Sequence, residues 1–184
     1  MVGTELLLGE TTDTNATYLA RCLADLGIDL HYKSTVGDNW VRMTGALATA
    51  LERSQIVIVS GGLGPTQDDL TREVVAAATG RTLVFDERAW EEITRLLRGR
   101  GRPITENNRR QAMLPAGAVR IPNPVGVAPG IWLDLNPRLV ICLPGVPDEL
   151  RAMMQETVMP RLRARTGASP LYSRVLRFRG IGES

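Results

Sequence analysis

The chain has 184 residues, of which 43% are hydrophobic and 23% charged, a composition typical of a globular protein rather than a disordered one. Its formal net charge of +2 gives no sign of a nucleic-acid-binding surface. Apolar runs such as Ile56–Val59 fall far short of the roughly 20 residues of a membrane helix, and two distant cysteines form no disulfide framework. We therefore expect a cytoplasmic protein with neither membrane nor nucleic-acid partners.

The first half of the chain is predicted to alternate between helices and strands. Leu19, Leu23 and Leu26 recur at the spacing of one helix face. Ile56–Val59 is β-branched throughout, which is typical of a strand buried on both faces. The elements predicted here are a helix over Thr14–Leu26, a strand over Asp29–Val36, a helix over Asn39–Ser54 and a strand over Ile56–Val59.

The second half continues this alternation. The predicted helices span 70–79, Asp86–Arg98, Thr105–Met113 and Pro147–Arg163, with a kink at Pro160, and the predicted strands span Arg81–Phe85, Val119–Ile121, Gly130–Leu135 and Leu139–Leu143. This order predicts a three-layer α/β/α domain over residues 1–164, built around a mostly parallel sheet. Residues 165–184 are predicted to be a linker and the start of a further small domain, with a strand over Ser173–Phe178.

The loop Gly61–Thr71 is the segment most suggestive of a ligand site, because it follows a buried strand and precedes a helix. Its three glycines lack Cβ atoms, so backbone N–H groups can approach an anion closely. The adjacent carboxylates of Asp68 and Asp69 repel each other unless a proton or a cation lies between them. A divalent cation such as Mg²⁺, usually held by one or two carboxylates together with phosphates, would remove that repulsion.

Other predicted turns carry polar residues that have two interpretations. The segments are Val36–Asn39 with Asp38, Pro144–Glu149, and Gly3–Glu10 followed by Asp13–Asn15. Each could bind one edge of a ligand, or could be a turn whose acidic or amide side chain caps a helix. The three arginines of Arg98–Pro103 could meet phosphates, although a solvated turn is the favoured interpretation.

Four blocks of sequence together resemble the N-terminal domain of the competence/damage-inducible CinA family. The blocks that read GGLGPTQDDLT and LPGVPDEL are the most specific. More broadly, the chain looks like the molybdopterin-binding fold of MogA- and MoaB-type proteins. The four blocks are Gly3–Glu10, Asp13–Asn15, Gly61–Thr71 and Leu143–Leu150.

The resemblance implies a metal-dependent ADP-ribose pyrophosphatase that forms a homodimer and binds a phosphorylated nucleotide or a pterin with Mg²⁺ or another divalent cation. Asp38, Asp68 and Asp69 are then expected to be catalytic, with Asp68 and Asp69 holding the metal. The residues expected to bind substrate are Thr4, Glu5, Asn15, Gly61, Gly62, Gly64, Thr71, Gly145 and Glu149. Two alternatives stay open: a molybdopterin-binding or molybdopterin adenylyltransferase-like protein, and a truncated binding module without activity.

The resemblance also implies a full first strand before Gly3. Only Met1 and Val2 precede that glycine, so the strand is expected to be truncated. A missing strand would leave backbone groups of its neighbours unpaired. No segment matches the nicotinamide-nucleotide deamidase domain that many members of the family carry.

Overall fold

A four-stranded sheet forms the centre of the computed structural model, which describes residues 1–167. Its strands lie in the order β1, β6, β5, β4, with bounds Ile56–Ser60 (β1), Leu139–Leu143 (β6), Gly130–Asp134 (β5) and Val119–Ile121 (β4). β1 and β6 are parallel, with Ile58 opposite Ile141. The other two pairs are antiparallel, and the short connection between β5 and β6 requires this. The predicted α/β class is confirmed, and the sheet is mixed.

Eight α-helices and a second small sheet complete the described part of the chain. The helices are α1 (Thr4–Leu7), α2 (Thr14–Asp25), α3 (Trp40–Arg53), α4 (Thr71–Ala78), α5 (Glu87–Gly99), α6 (Glu106–Arg110), α7 (Pro147–Met153) and α8 (Met159–Thr166). Strands β2 (Leu83–Phe85) and β3 (Met113–Pro115) pair antiparallel. Asp13, Asn39 and Asp86 cap α2, α3 and α5 by accepting first-turn N–H groups, as their positions predict. Within this part, no helix is long and apolar enough to cross a membrane.

The sheet is covered on both faces, which confirms the three layers. Along β6, Leu139, Ile141 and Leu143 contact the apolar sides of α2 and α7, including Leu23 and Leu150. The intervening Val140 and Cys142 face α3 and α4 on the opposite side. All five residues of the strand are fully buried. The alternation follows from the two-residue period of a strand, with apolar side chains required on both sides.

The predicted strand over Asp29–Val36 does not form, and only Val36 makes a single parallel bridge to Val2. The N–H of Val2 also donates to the carbonyl of Ser60 at 2.8 Å, so this short segment lies between β1 and Val36. Residues 29–35 run past a cavity of about 930 Å³ instead of a partner strand. An extended segment becomes a strand only when a neighbour supplies the hydrogen bonds.

Two other boundaries differ from their predictions. The predicted helix over Thr105–Met113 is confined to α6, because Met113 pairs with Phe85 in the β2–β3 sheet. The predicted helix over Pro147–Arg163 extends to Thr166, and its α-helical pattern is interrupted close to Pro160, as predicted. A π-helical turn over Met154–Val158 precedes this proline, and such a wider turn accommodates the missing N–H. The predicted strand over Ser173–Phe178 lies outside the described residues.

Candidate functional site

A cavity of about 540 Å³ lies at the carboxyl ends of β1 and β6. Because these two strands are parallel, the loops that follow Ser60 and Leu143 meet at the same edge of the sheet. The cavity is lined by the Gly-rich loop 61–69, the corner 144–146, the turn 126–128, the segment after α5, and residues near the start of the chain. Its volume falls within the roughly 300–1,000 Å³ of small-molecule sites.

The first two glycines of the loop are required by the packing of the protein itself. Gly61 and Gly62 have φ values of +106° and +67°, which disfavour side chains. A Cβ on Gly61 would lie 2.2 Å from the carbonyl oxygen of Val2. A Cβ on Gly62 would lie 2.4 Å from Oγ1 of Thr71. The glycines therefore bring the loop against the start of the chain and against α4.

One backbone N–H group of the loop donates a hydrogen bond within the described part of the chain, and the next three have no acceptor there. The N–H of Gly61 donates to the carbonyl of Leu143 at 3.0 Å, so it cannot bind a ligand as the sequence led us to expect. Among residues 1–167, no acceptor faces the N–H groups of Gly62, Leu63 and Gly64. Successive N–H groups beside a left-handed residue form a concave anion site.

Arg72 holds this loop from behind. Its side chain is only 1% exposed, and its guanidinium donates to the carbonyls of Leu63 at 2.7 Å and Gly64 at 2.6 Å. Burial lowers the pKa of Arg72, while the nearby carboxylates of Glu73 and Asp69 act in the opposite direction. Because the C=O and N–H of a peptide unit point in opposite directions, binding the Leu63 carbonyl turns the N–H of Gly64 away from Arg72.

Three of the acidic side chains at the cavity are held by hydrogen bonds. Asp38 accepts from the N–H and hydroxyl of Thr4 at 2.9 and 3.0 Å. Asp69 accepts from the N–H and hydroxyl of Thr66 at 2.9 and 2.5 Å through one carboxylate oxygen.

The third is Glu149, which accepts from the amide of Asn123 at 2.7 Å and packs against Gly126. Asp68 differs from these three, because within the described residues its carboxylate has no hydrogen-bond partner.

The carboxylates do not form a complete metal cage. No group of three or more His, Cys, Asp or Glu side chains suited to a metal occurs among residues 1–167. Asp38 and Glu149 do not lie close enough to Asp68 and Asp69 to form such a group in this structure. The free carboxylate of Asp68 and the second oxygen of Asp69 fit a hard cation that a ligand's phosphates also hold, since Mg²⁺ commonly takes only one or two protein carboxylates.

Residues 1–164 match the model of a family described as a probable molybdopterin binding domain. A solved structure of CinA from Thermoplasma acidophilum, itself described as having unknown function, is 37% identical to this chain. That match covers 87% of this chain and 92% of the other, with a TM-score of 0.79. The chain belongs to the molybdopterin-binding domain family, as a CinA-type member. The predicted family is thereby confirmed.

Other relatives place the CinA-type domain within longer proteins and a wider fold. A putative competence-damage inducible protein of Symbiobacterium thermophilum is 52% identical over 186 residues, covering 100% of this chain and 44% of the relative. A CinA-like protein of Cyanothece shows the same identity and coverage. The chain thus spans less than half the length of these relatives. A solved structure of the molybdopterin biosynthesis enzyme MoaB of Thermus shares the fold, with a TM-score of 0.58. It is 23% identical, and the match covers 92% of this chain and 94% of that one.

Most of the predicted site residues of the CinA-type domain line the 540 Å³ cavity. They are Glu5, Asp38, Gly61, Gly62, Gly64, Asp68, Asp69, Gly145 and Glu149. Thr4, Asn15 and Thr71 do not line it, and each makes a side-chain hydrogen bond within the protein, although Oδ1 of Asn15 has no partner among residues 1–167. The Thr71 hydroxyl donates to the Gly61 carbonyl at 2.7 Å, and the Asn15 amide donates to the Gly145 carbonyl at 2.7 Å. In this structure these three side chains hold the walls of the cavity, and their role in substrate binding stays a prediction.

Sequence reasoning missed two residues that organise the site of the CinA-type domain. Arg72 could have been identified from the sequence, because it is a single cation within the apolar face of a predicted helix. Asn123 also carried a sequence signal, an Asn-Pro dipeptide three residues before a glycine. The Asn123 amide donates to Glu149 and to the Ala128 carbonyl at 2.8 Å, and its side-chain oxygen accepts from the N–H of Gly126 at 2.7 Å. One side chain therefore fixes both the turn and the carboxylate.

Proposed function

We propose that this CinA-type domain binds a nucleoside-diphosphate-linked compound such as ADP-ribose and hydrolyses its pyrophosphate linkage with the help of a divalent cation. One observation carries the proposal: the unpaired N–H groups of Gly62, Leu63 and Gly64 occupy the same cavity as the free carboxylate of Asp68. Donors for an anion and a ligand for a cation are thus placed together. A metal-bound pyrophosphate needs both kinds of group.

The chain's own residues would act mainly by positioning. The N–H groups of the loop bind a phosphate oxygen and stabilise negative charge that develops on it. Arg72 keeps those donors in place, so they need no reorganisation during the reaction. Asp68 and Asp69 would hold the cation, which when bound neutralises phosphate charge and lowers the pKa of a bound water.

A second candidate is favoured by the description of the matching family. A phosphorylated pterin could use the same N–H groups for its phosphate, with binding alone or adenylyl transfer as the outcome. A binding module without turnover is the third possibility. These functions differ in products: ADP-ribose hydrolysis yields AMP and ribose 5-phosphate, adenylyl transfer consumes ATP and pterin, and the module yields nothing.

The deciding experiment follows AMP release from ADP-ribose by the 184-residue protein, with Mg²⁺ and then with EDTA. We expect release only with the metal, and a loss of orders of magnitude in Asp68→Asn. Asp148→Asn is the matched control, because its side chain is 81% exposed on α7 and lies outside the cavity. Asp69→Asn is less informative, since Asp69 also holds Thr66.

Metal-independent release would overturn the assigned role of the carboxylates. ADP-ribose binding without release would favour the binding module, and pterin binding in place of ADP-ribose would favour the second candidate. The proposal includes the cytoplasmic location and the homodimer that the resemblance implies. Sedimentation velocity, with and without ADP-ribose, tests the homodimer.

A further inference from the structure

Positive charge at the cavity is confined to one segment of the described chain. Arg100 and Arg102, directly after α5, are the only basic side chains that line it among residues 1–167. The remaining walls carry an excess of negative charge from five carboxylates, those of Glu5, Asp38, Asp68, Asp69 and Glu149. A ligand with several phosphates would be repelled by most of this surface and attracted by that one segment.

Arg100 is already engaged in holding the wall of the cavity. Its guanidinium donates to the carbonyl of Val125. The N–H of Val125 in turn donates to Asn123 at 3.1 Å. This connects the segment after α5 to the turn that holds Glu149. Arg100 therefore helps to shape the cavity, and its own donors are partly used.

The backbone of Arg102 is held by hydrogen bonds, whereas its guanidinium group has no hydrogen-bond partner among the described residues. Its N–H donates to the carbonyl of Leu97 at 2.9 Å, and the preceding Gly101, at φ +64°, donates to Arg98 at 3.0 Å. These bonds hold the turn in place at the end of α5. Arg102 lines the cavity, and within the part of the chain that the structure describes its guanidinium has no acceptor.

We propose that Arg102 binds the second phosphate of a two-phosphate ligand while the N–H groups of Gly62–Gly64 bind the first. This assignment rests on the proposed function and adds selectivity to it: the site prefers nucleoside diphosphate compounds to nucleoside monophosphates. A guanidinium presents two parallel donors that match phosphate oxygens, and it stays charged at all working pH values. Of the three arginines in Arg98–Pro103, Arg98 lies on α5 rather than in a turn, and it does not line the cavity.

Equilibrium titration of parent and variants with ADP-ribose, AMP and inorganic pyrophosphate in EDTA tests the assignment, because the metal-dependent hydrolysis proposed above would consume ADP-ribose in Mg²⁺. AMP and pyrophosphate are titrated with Mg²⁺ as well. We expect Arg102→Gln to weaken ADP-ribose and pyrophosphate binding about 10- to 100-fold, as loss of a charge-assisted contact implies. AMP binding should change less than about 3-fold. Arg102→Lys should be intermediate, because it keeps the charge and loses the paired donors.

Arg98→Gln is the matched control, since Arg98 is exposed on the same helix and should bind as the parent does. Equal ADP-ribose binding by the parent and Arg102→Gln would overturn the assignment and leave the proposed function standing. Pyrophosphate binding that depends on Arg102, without ADP-ribose binding, would support the assignment and overturn the proposed function. A parent that binds none of the three ligands would overturn both.

Discussion

Two of the cavities in residues 1–167 differ in volume and in the groups that line them. The larger, at about 930 Å³, lies beside β1, and its lining combines aliphatic side chains such as Val57 and Leu47 with charged ones such as Lys33, Glu52 and Arg53. The smaller, at about 540 Å³, carries five carboxylates, two guanidinium groups and unpaired backbone donors. We assign the proposed function to the smaller cavity on these groups and not on volume, because a ligand is recognised by groups placed to bind it.

The larger cavity is a gap in the sheet, and a single residue separates it from the site. β1 lies at one end of the strand order, and beyond it only Val2 pairs with Ser60 and with Val36. Val2 lines both cavities, and its carbonyl lies against Gly61. The larger cavity therefore borders the edge of β1, and the smaller one is lined by a loop whose N–H groups have no acceptor among residues 1–167.

Removing Arg72 should have the largest effect, and only on the smaller cavity. Arg72→Met leaves the buried carbonyls of Leu63 and Gly64 without donors, which we expect to cost about 3–5 kcal/mol of unfolding free energy. ADP-ribose binding should be lost. Urea unfolding and titration measure both effects, with Arg88→Met, exposed on α5, as the control. Parent-like binding by Arg72→Met would show that the loop keeps its shape unaided.

Filling the larger cavity should stabilise the fold and leave ligand selectivity unchanged. An extension of about six alternating Val and Ile residues before Met1 can pair with the free edge of β1 and bury apolar surface. We expect the melting temperature to rise by several degrees, at roughly 2–4 °C per kcal/mol. An extension of six Gly and Ser residues is the control. If both extensions melt alike, the gap does not accept a strand.

Alanine substitutions at two glycines should change the free energy of unfolding in opposite directions. Gly62→Ala places a Cβ 2.4 Å from the Thr71 hydroxyl at φ +67°, which should cost about 1–2 kcal/mol. Gly45→Ala, on the exposed side of α3 with no atom within 4 Å of the new Cβ, should gain about 0.5–1 kcal/mol. Thermal unfolding distinguishes them. A neutral Gly62→Ala would mean that the loop does not need its left-handed glycine.

The smallest effect should come from the ion pair between Asp134 and Arg165, far from the Gly-rich loop. The hydrogen bond from Arg165 holds the pKa of Asp134 below its ordinary value. The stabilisation is therefore present above the unfolded-state pKa of about 3.9 and is lost as the pH falls through the lower folded-state value. Asp134→Asn should cost less than about 1 kcal/mol at pH 7, and the difference should vanish in acid. A difference that persists below pH 2 would assign the effect to packing.

The local sequence pattern was sufficient to predict those helices and strands whose formation is determined by their own residues. The apolar spacing of α2 and α3 and the β-branched run of β1 were predicted within a few residues. The Gly-rich corner was located for the same reason, since a buried strand, glycines and a helix start are all contiguous in sequence. Asp29–Val36 failed as a strand because no described strand pairs with residues 29–35, and β3 was missed because it pairs with residues 83–85.

The sequence by itself determined the family, the α/β class and the edge of the sheet where polar residues collect, because these follow from periodicity and from motifs that adjacent residues define. Only the tertiary structure decided what each polar group does there. Thr71 and Asn15 face inward to hold the walls, while Asp68 and Arg102 lack partners in the described chain. Whether a donor is used or available depends on acceptors brought from elsewhere in the chain, and folding alone places them.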